Sequence, residues 1–483
     1  MTPSVGRARL SRRGFLSMSA LALAGCRRQD TRATFDCDVC VVGSGFAGIY
    51  LAQRLVDHGL RVIVLEAGPH LPPTAPADGA TSLFPATSTG SYAFPVDATR
   101  TIAVGGTSRK WNGVISRLLP SDLRLRSARG LDIDWPLDYA ALEPYYCQAE
   151  QAMGVVGGPF VDGAEPARCA YPIEQTTYTS PAAILGDVAP AFFPLAFGLA
   201  NGSPIKVNGE PLERLLASGL ATLLDEHPVT ALHVDATGAV VSVEARRADG
   251  SPRTIRARHT VVAAGVVETS RLLLVSRDLS GRALGGPRLG LGFNAHPRFR
   301  AQVRPRAGLP SLERAHRSYF GNPAGFVNRG AYMADVHLAS APPLVDLMLE
   351  LEASADNRVT LNRSTLDRWG RPSIALQADW TPRDLATREN ALRVQTRLTQ
   401  PLGLTPTAPA LRWFHPAGSC AMGSGPDTGV VDANLSVFGV NNLSVAGASV
   451  FPTAGATNPT LTIVALSLRL GDYLAARLGH TQT

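Results

Sequence analysis

Two polar side chains, His415 and Asn458, are of types that can carry out proton chemistry at an oxygen atom, and 43 residues separate them. An imidazole has an unperturbed pKa of about 6.5 and can take up a proton near neutral pH. A carboxamide does not titrate, but it can donate a hydrogen bond to an oxygen that gains negative charge. Each also has an ordinary explanation, because histidines are often simply packed and an Asn-Pro-Thr sequence often begins a helix. Their meaning depends on the elements that position them.

A glycine-rich segment near the start of the chain is typical of a dinucleotide-binding loop. It follows an apolar run, residues 39–42, that predicts a buried strand, and it precedes an amphipathic helical pattern. The first glycine permits a tight turn, the second lets the backbone approach a pyrophosphate, and the third lets helix and strand pack closely. The residues of this segment are Gly43, Ser44, Gly45, Phe46, Ala47 and Gly48.

A second predicted strand, residues 61–65, ends at Glu66, which is 23 residues after Gly43. A carboxylate at this position can accept hydrogen bonds from both hydroxyls of an adenosine ribose. The alternative is a glycine-rich turn in some other α/β domain, but strand, loop, helix, strand and acid occur here in the expected order. The sequence therefore predicts a Rossmann-like nucleotide site.

The sequence favours FAD over NAD as the nucleotide. Ala67 and the residues after it lead into a proline-rich loop instead of another helix, and no second Gly-x-Gly-x-x-Gly follows a strand. A further buried strand is predicted at residues 260–265, followed by a helix, and residues 230–258 predict an antiparallel excursion. One nucleotide-binding fold would thus be assembled from distant pieces of the chain.

From about residue 35 to its C-terminal helix, the chain resembles the glucose–methanol–choline (GMC) flavoprotein oxidoreductases. Five motifs occur in the family's order, and the separation of 43 residues between His415 and Asn458 also suits the family. The motifs are the glycine-rich segment and residues 105–113, 264–272, 415–423 and 456–462.

The resemblance implies an α/β fold in two parts. One is a Rossmann-like FAD-binding domain built from discontinuous segments, and the other is a substrate domain with an antiparallel sheet flanked by helices. FAD would lie extended with its isoalloxazine ring facing a substrate cavity. Beyond the glycine-rich segment, Glu66 and Ala67, the implied cofactor-binding residues are Gly105, Gly106, Thr107, Ser108, Trp111, Asn112, Gly113, Val229, Ala264, Gly265, Gly447, Ala448, Asn458, Pro459 and Thr460.

The resemblance also implies roles in the oxidation of an alcohol to a carbonyl. His415 matches the family's active-site histidine and would act as base and orienting group, while Asn458 would bind the substrate oxygen. The hydride would pass to flavin N5. A helix that begins near Pro459 would place its positive end beside the flavin pyrimidine and stabilise negative charge there.

Two positions and one absence refine this expectation. Lys110 stands where some sugar-oxidising relatives carry the histidine that holds flavin covalently, so non-covalent FAD is expected. His296, in a segment that resembles the close of the cofactor domain, is expected to be structural. No cluster of residues has metal-ligand spacing, so no metal site is predicted.

The expected substrate is a small-molecule alcohol, namely a sugar, polyol or related secondary alcohol. Quinone, cytochrome or oxygen are all open as the electron acceptor. Two alternatives remain: a lyase of the same family that keeps FAD without net redox chemistry, and a flavin subunit that passes electrons to a membrane acceptor.

The first 34 residues predict export. Paired arginines, Arg12 and Arg13, precede an apolar stretch that is too short to span a bilayer, as in a twin-arginine signal. The stretch ends in Leu-Ala-Gly-Cys at Cys26, which resembles a bacterial lipobox and predicts a lipid anchor. The expected location is the periplasm or the outer side of the cytoplasmic membrane, and a soluble secreted protein is the alternative.

Composition excludes two other classes of protein. With 45% hydrophobic residues the chain can form a core, which rules out disorder. The net charge is +7, of which the first 34 residues supply +6, so the body offers no basic field for nucleic acid.

The cysteines do not form a disulfide scaffold. Cys37 and Cys40 lie in a predicted strand and are expected to be structural, and Cys420 is expected to be a packed residue without nucleophilic function. The sequence leaves open whether Cys147 and Cys169 pair.

The domain organisation follows from these motifs. We predict an export signal and tether at 1–34. The FAD-binding domain would have three parts, at 35–160 with a flavin-facing loop at 104–114, at 205–297, and at 410–483 with His415 and Asn458. Between these parts we predict an insertion or lining loops at 161–204 and a substrate domain at 298–409 with alternating runs at 359–361 and 374–376.

Overall fold

The structure is a computed structural model, and the parts of the chain that it describes are residues 35–72, 83–130, 133–157, 169, 173–174, 195–196, 205–305, 316–321, 332–337, 344–399, 404–455 and 457–479. The chain divides into two units, Met1–Phe35 and Asp36–Thr483, and the described elements belong to the second. The predicted export signal with Cys26, and most of the predicted insertion at 161–204, lie outside the described residues.

Twenty strands are described. They are β1 (Cys37–Val42), β2 (Val62–Leu65), β3 (Ala86–Thr89), β4 (Val155–Gly157), β5 (Ile173–Glu174), β6 (Leu195–Ala196), β7 (Ala221–Leu224), β8 (Val229–Val234), β9 (Val240–Arg246), β10 (Pro252–Ile255), β11 (Ala257–Val262), β12 (Asn294–Pro305), β13 (His316–Gly321), β14 (Tyr332–His337), β15 (Leu344–Leu349), β16 (Arg358–Leu366), β17 (Pro372–Gln377), β18 (Leu404–Pro406), β19 (Ala410–Ala417) and β20 (Leu443–Val445).

The described helices differ greatly in length, and none of them is both long and apolar enough to cross a lipid bilayer. The α-helices are α1 (Phe46–Asp57), α2 (Val96–Thr99), α3 (Leu125–Arg129), α4 (Tyr139–Ala152), α5 (Glu210–Ala217), α6 (Gly265–Ser280), α7 (Pro382–Thr399) and α8 (Thr460–Gly479), and the 3-10 helices are Gly106–Lys110 and Ala448–Val450.

The nucleotide-binding part is built on a five-stranded parallel sheet in the order β20-β11-β1-β2-β7. Its central strand residues are mostly buried, and β2 is a run of valine, isoleucine and leucine, which suits a sheet covered on both faces. The predicted strands at 39–42, 61–65 and 260–265 correspond to β1, β2 and β11 of this sheet, but β11 ends at Val262 and Gly265 already begins α6. The predicted antiparallel excursion is also confirmed, since β8, β9 and β10 form a separate three-stranded sheet.

The last helix of the chain packs against the helix of the glycine-rich segment. A Cβ added at Gly471 of α8 would lie 2.6 Å from Cγ of Arg54 in α1, so the two helices approach closely. Arg54 also binds the Asp472 carboxylate through two nitrogens, at 2.5 and 2.8 Å. The nucleotide-binding part therefore joins the two ends of the described chain, and the predicted α/β fold class is confirmed.

A second, antiparallel sheet has the order β13-β14-β15-β12-β18, and β19 also pairs with β12. Its strands β12 and β19 extend beyond residues 298–409 on both sides, so this sheet carries His296 and His415. The predicted domain boundaries themselves stay a prediction.

The alternating runs at 359–361 and 374–376 were predicted as part of the substrate domain. In the structure they do not join this antiparallel sheet. They form β16 and β17, which pair with each other and, through β17, with β3. The Arg271 side chain of α6 is hydrogen-bonded to this hairpin. Its Nε donates to the Pro372 carbonyl at 2.9 Å, and its Nη2 donates to the Asp367 carboxylate at 2.5 Å. These contacts bind the hairpin to the nucleotide-binding part.

A buried ion pair lies beside the disulfide that Cys147 and Cys169 form. The Arg117 side chain is 0% exposed and binds the Glu150 carboxylate through Nε and Nη2, both at 2.9 Å. The same Nη2 lies 3.4 Å from Cys147 Sγ and 3.3 Å from Cys169 Sγ. The pairing that the sequence left open is therefore present, and the guanidinium packs against it.

Replacing Arg117 by Met should destabilise the protein by about 3–5 kcal/mol, because the Glu150 carboxylate would stay buried without its guanidinium. We expect the loss as a lower midpoint of urea unfolding. Arg363→Met is the matched control, since Arg363 pairs with Asp278 at the surface with 67% of its side chain exposed, and we expect at most about 1 kcal/mol there. Equal midpoints for the two variants would contradict this account.

Candidate active site

The glycine-rich segment forms a tight turn from β1 into α1, and its three glycines differ in what surrounds them. Gly43 has a φ of +106°, and a Cβ there would lie 2.4 Å from the Ala263 carbonyl oxygen. A Cβ at Gly48 would lie 1.9 Å from the Gly43 carbonyl oxygen. At Gly45, by contrast, an added Cβ meets nothing within 4 Å. Packing thus requires the first and third glycines, while the second faces open space at the positive end of α1.

Ser44 connects this turn to the predicted ribose-binding acid. Its N–H and Oγ both donate to Glu66 Oε2, at 3.1 and 2.6 Å, and the Gly68 N–H donates to the other carboxylate oxygen at 3.0 Å. Burial is the main cause that raises the pKa of Glu66, and these hydrogen bonds act against it. The carboxylate lies at the end of β2 as predicted, but in this structure it binds protein donors. Ribose hydroxyls would have to share or replace the Ser44 hydroxyl.

The loop at 104–114 folds onto the same turn. The Gly105 N–H donates to Ser44 Oγ at 3.0 Å, and Gly105 has a φ of +92°, which favours glycine. A Cβ at Gly106 would lie 3.6 Å from the Gly45 Cα. The Trp111 ring meets Phe46 edge-on with ring centroids 4.7 Å apart. The structure therefore brings the second motif against the first.

The remaining residues of this loop are placed unevenly. Ser108 is buried at 3% exposure, and Gly113 has a φ of +86°. Thr107 and Asn112 are exposed. Lys110, at the end of the 3-10 helix, is exposed as well.

Buried polar atoms without a protein partner border this loop, and they test whether the site suits a polar cofactor. Both amide atoms of Asn208 and the Ser108 Oγ are buried and have no hydrogen-bond partner within the described chain. Asn208 is 4% exposed, and its Cβ lies 3.0 Å from where a Gly105 Cβ would be. Such groups are costly unless a ligand or water satisfies them. Together with the open space at Gly45, they fit a bound dinucleotide.

Sequence reasoning did not single out Asn208. The sequence around Asn208, just before α5, predicts an ordinary turn. The proximity of Asn208 to the 104–114 loop becomes visible in the folded structure. An Asn-Gly pair directly before a helix was the one available signal, and such pairs are common in ordinary turns.

Other predicted cofactor residues line the same region from different strands. The Gly43 turn packs on Ala263 and Ala264, and Gly265 begins α6 with a φ of +76° at a position where an added Cβ would meet nothing within 4 Å. A Cβ at Gly447 would lie 3.8 Å from the Ala47 Cβ, so Gly447 and Ala448 lie next to the start of α1.

Two of the predicted cofactor residues stand apart from these contacts. Ala67 directly follows Glu66 at the end of β2. Val229 begins β8, two residues after His227, whose N–H donates to the Glu66 carbonyl at 2.7 Å. Val229 itself is 8% exposed, and none of the described contacts joins Val229 to the glycine-rich turn.

A β-bulge positions His415. The ladder between β12 and β19 pairs Asn294 with Ala417 and His296 with Phe414, so one residue of β12 faces two of β19. Pro416 lacks an N–H and cannot continue a regular ladder, and His415 adopts a φ of +52°. Bulges of this kind turn a side chain out of the regular alternation and are common beside functional sites. The sequence Phe-His-Pro thus presents the imidazole in a direction that a regular strand would not allow.

The His415 ring contacts the ring of His296. Their Nδ1 atoms are 3.1 Å apart, and His296 Nε2 is 2.7 Å from the Gly455 carbonyl oxygen. Burial is the main cause that holds the pKa of His415 well below its usual range, and His296 and Arg298 add to the effect. Burial likewise lowers the pKa of His296 to about 4. Both imidazoles are therefore neutral near pH 7.

Asn458 lies just before α8 and contacts the end of the 104–114 loop. Its Nδ2 donates to the Val114 carbonyl at 3.2 Å, and the residue is 6% exposed. Next to it, Thr457 Oγ1 hydrogen-bonds Ser116 Oγ. The Ile463 N–H donates to the Pro459 carbonyl at 2.9 Å, which starts the helix there, and Thr460 is its first residue.

The segment that follows His415 is hydrogen-bonded to residues 448–450, which precede Asn458 by eight to ten positions. The N–H groups of Gly418, Cys420 and Met422 donate to the carbonyls of residues 448, 449 and 450, at 3.0, 2.9 and 2.8 Å. Cys420 is fully buried, and burial raises the pKa of its thiol to about 12. An inert packed residue fits these values better than a nucleophile.

The two cysteines of β1 are also buried. Cys37 and Cys40 are unpaired thiols, and burial raises the pKa of Cys37 to about 12. Across the described ranges, no group of three or more histidine, cysteine, aspartate or glutamate side chains could hold a metal ion.

Replacing Gly45 by Ala should lower FAD content without unfolding the protein. Its φ of −71° suits any residue and the new methyl meets no protein atom, but it would project into the space that the pyrophosphate needs. The flavin-to-protein absorbance ratio and far-UV circular dichroism of the purified variant measure the two effects. Gly48→Ala is the contrast, because its methyl overlaps the backbone and should prevent folding. A Gly45→Ala protein with full flavin content would place the pyrophosphate elsewhere.

Comparison with known proteins agrees with this architecture. Residues 353–467 match the family model described as GMC oxidoreductase, and residues 41–76 match that of an NAD(P)-binding Rossmann-like domain. The chain is 29% identical to paromamine 6'-oxidase of Streptomyces fradiae, with 92% of each chain covered. It is 26% identical to the large subunit of fructose dehydrogenase of Gluconobacter japonicus, over 91% of this chain and 98% of that one.

Among solved structures, pyridoxine 4-oxidase from Mesorbium loti superposes with a TM-score of 0.68 at 19% identity, covering 93% of this chain and 100% of that chain. At such low identity this similarity shows the fold alone. The family model and the full-length relatives make this chain similar to GMC oxidoreductases, and the chain is an FAD-dependent oxidoreductase that acts on CH–OH groups.

Proposed function

We propose that this protein oxidises a hydroxyl group of a sugar, polyol or related secondary alcohol, with His415 as the base and Asn458 as the ligand of the substrate oxygen. The observation that carries the proposal is the link that His296 forms between the chain segment of His415 and the one that leads to Asn458. His415 touches His296, which holds the Gly455 carbonyl three residues before Asn458. Asn458 in turn touches the 104–114 loop.

The protein's own groups account for the proton and for the charge on the oxygen. A neutral imidazole at His415 can take the hydroxyl proton, since its lowered pKa keeps it unprotonated at neutral pH. The Asn458 amide can donate to the oxygen as negative charge develops there. When bound, FAD supplies the acceptor for the hydride that leaves the substrate carbon. The alcohol thereby loses one proton and one hydride and becomes a carbonyl.

The names of the relatives support a carbohydrate-like substrate. Fructose dehydrogenase is named for a sugar, and paromamine 6'-oxidase for the oxidation of a numbered position of its own substrate. Both names describe redox enzymes, which favours oxidation over the lyase alternative.

The acceptor and the location are proposals that rest on the N-terminal sequence and on one relative. An exported chain anchored at Cys26 would lie beside membrane quinones and cytochromes, and the fructose dehydrogenase relative is named as one subunit of a larger enzyme. We therefore propose a dehydrogenase that passes electrons to such an acceptor in preference to oxygen. Because Lys110 is exposed and replaces the histidine of covalent flavin sites, we also propose that FAD is held without a covalent bond.

The purified protein should bleach its flavin absorbance when mixed anaerobically with at least one sugar, polyol or secondary alcohol. Reoxidation should be faster with a quinone analogue or a dye than with air-saturated buffer. Product formation while the flavin stays oxidised would indicate a lyase instead. Fast reoxidation by oxygen would indicate an oxidase, and absence of bleaching across the panel would count against alcohol oxidation.

His415→Ala should slow flavin reduction by about 100- to 10,000-fold, which is the usual contribution of a general base. Asn458→Ala should slow it by about 100- to 1,000-fold, as is typical when one oxyanion-binding donor is removed. The His415→Ala variant should keep its yellow colour. His233→Ala, on the exposed face of β8, is the matched control and should reduce at the rate of the unmodified protein. An unchanged rate of flavin reduction in His415→Ala would show that His415 is not the base.

The rate of flavin reduction should stay constant from pH 8 down through pH 6.5 and fall only at lower pH. An ordinary histidine would lose half of its unprotonated form at about pH 6.5, but burial and the neighbouring His296 and Arg298 lower the pKa of His415. Anaerobic stopped-flow at saturating substrate measures this. A midpoint at or above pH 6.5 would show that another group is the base or that the site opens to solvent.

A further inference from the structure

The contact between His415 and His296 restricts which nitrogen of each ring carries a proton. Their Nδ1 atoms lie 3.1 Å apart, which is a hydrogen-bond distance. A neutral imidazole has one N–H donor and one acceptor nitrogen. A hydrogen bond therefore forms only if one Nδ1 carries a proton and the other does not.

The far side of His296 decides between the two arrangements. Its Nε2 lies 2.7 Å from the Gly455 carbonyl oxygen, which can only accept, so Nε2 must carry the proton. The ring is 0% exposed and its pKa is lowered to about 4, so it does not carry a second proton at neutral pH. Its Nδ1 is then an acceptor, and His415 must donate from Nδ1. The remaining nitrogen of His415, Nε2, keeps its lone pair.

We propose that His296 is a positioning residue that fixes the tautomer and the orientation of His415, so that Nε2 of His415 is the atom that takes the substrate proton. The proposal rests on the proposed function, because it gives that function's base a defined reacting atom. It gives His296 a defined part in the reaction in place of the purely structural role that the sequence indicated.

The same ring also ties His415 to the segment that carries Asn458. The Gly455 peptide is held on both sides, since its carbonyl accepts from His296 and its N–H donates to Glu350 Oε1 at 3.0 Å. Glu350 is 3% exposed and follows directly after β15. Gly455 has a φ of +64°, and a Cβ there would lie 2.4 Å from Leu118 Cδ2, so this position favours glycine and Leu118 packs closely against it. One imidazole thus sets the position of both candidate catalytic segments.

Nitrogen NMR of the FAD-bound protein labelled with ¹⁵N-histidine tests the tautomers without turnover. Protonated and unprotonated ring nitrogens have well-separated shifts, and the signals are assigned from spectra of His415→Asn and His296→Asn. We expect a protonated Nδ1 and a bare Nε2 in His415, and the reverse in His296. The opposite pattern in either ring, or a doubly protonated His296 at pH 7, would overturn the proposal.

Two substitutions at His296 separate positioning from packing. An asparagine places its amide near the former Nδ1 and can still accept from His415, whereas a glutamine reaches the Gly455 carbonyl but leaves Nδ1 of His415 without its acceptor. We expect His296→Asn to keep the limiting rate of flavin reduction within about threefold, and His296→Gln to lower it by about ten- to hundredfold. The dissociation constant of the substrate should change little in either variant.

His259→Asn is the matched control, because His259 is equally buried at 1% exposure and bonds only Ser444 Oγ within the described chain. It should lower thermal stability and leave the limiting rate unchanged. Equal losses in the Asn and Gln variants of His296, or none in either, would overturn the positioning role. If the unmodified protein bleaches with no alcohol while the NMR pattern is as expected, the proposed function fails and the tautomer assignment stands.

Discussion

The antiparallel pairing of β12 with β19 is the constraint on which the site depends. This ladder holds the strand that carries His415, and its bulge sets the direction of the imidazole. Because one residue of β12 faces two of β19 there, His296 comes to lie beside His415 without any sequence proximity between them. A regular ladder would place the side chain of residue 415 on a fixed face of the sheet, since alternation allows only two directions.

The glycine-rich turn is the second part of the site, and side-chain hydrogen bonds rather than strand pairing connect its pieces. Ser44 donates to Glu66 and accepts from Gly105, so three motifs meet at one hydroxyl. The pieces come from three separate stretches of chain, and the first two are brought together by the parallel sheet in the order β20-β11-β1-β2-β7. Contacts of such high sequence separation carry a large loop-closure cost. Dense burial around β1 and β11, where most residues are inaccessible to solvent, opposes that cost.

The sequence predicted what is encoded locally. Gly43 and Gly48 follow from the shape of one turn, Glu66 from the length of one βαβ unit, and the start of α8 from Pro459. It could not predict Asn208 at the cofactor loop, the partner of Cys147 or the pairing of β17 with β3, because each depends on segments far apart in the chain. The contact between His296 and His415 belongs to the same class. Its only local sign is a histidine before a proline at both positions, and that pattern does not say that the two strands pair.

Burial gives the site its reactivity and also limits the conditions under which the fold is stable. His259 and His296 have pKa values lowered to about 3 and about 4, and the pKa of His415 is lowered as well, chiefly by burial in each case. In the unfolded chain these rings protonate near pH 6.5, so below that pH the unfolded state binds more protons than the folded one. The free energy of unfolding is therefore unaffected by these rings above pH 6.5. It declines as the pH falls from there toward the pKa values that the rings have in the folded protein. The desolvation that keeps His415 available as a base at neutral pH is therefore the same interaction that makes the folded protein sensitive to acid.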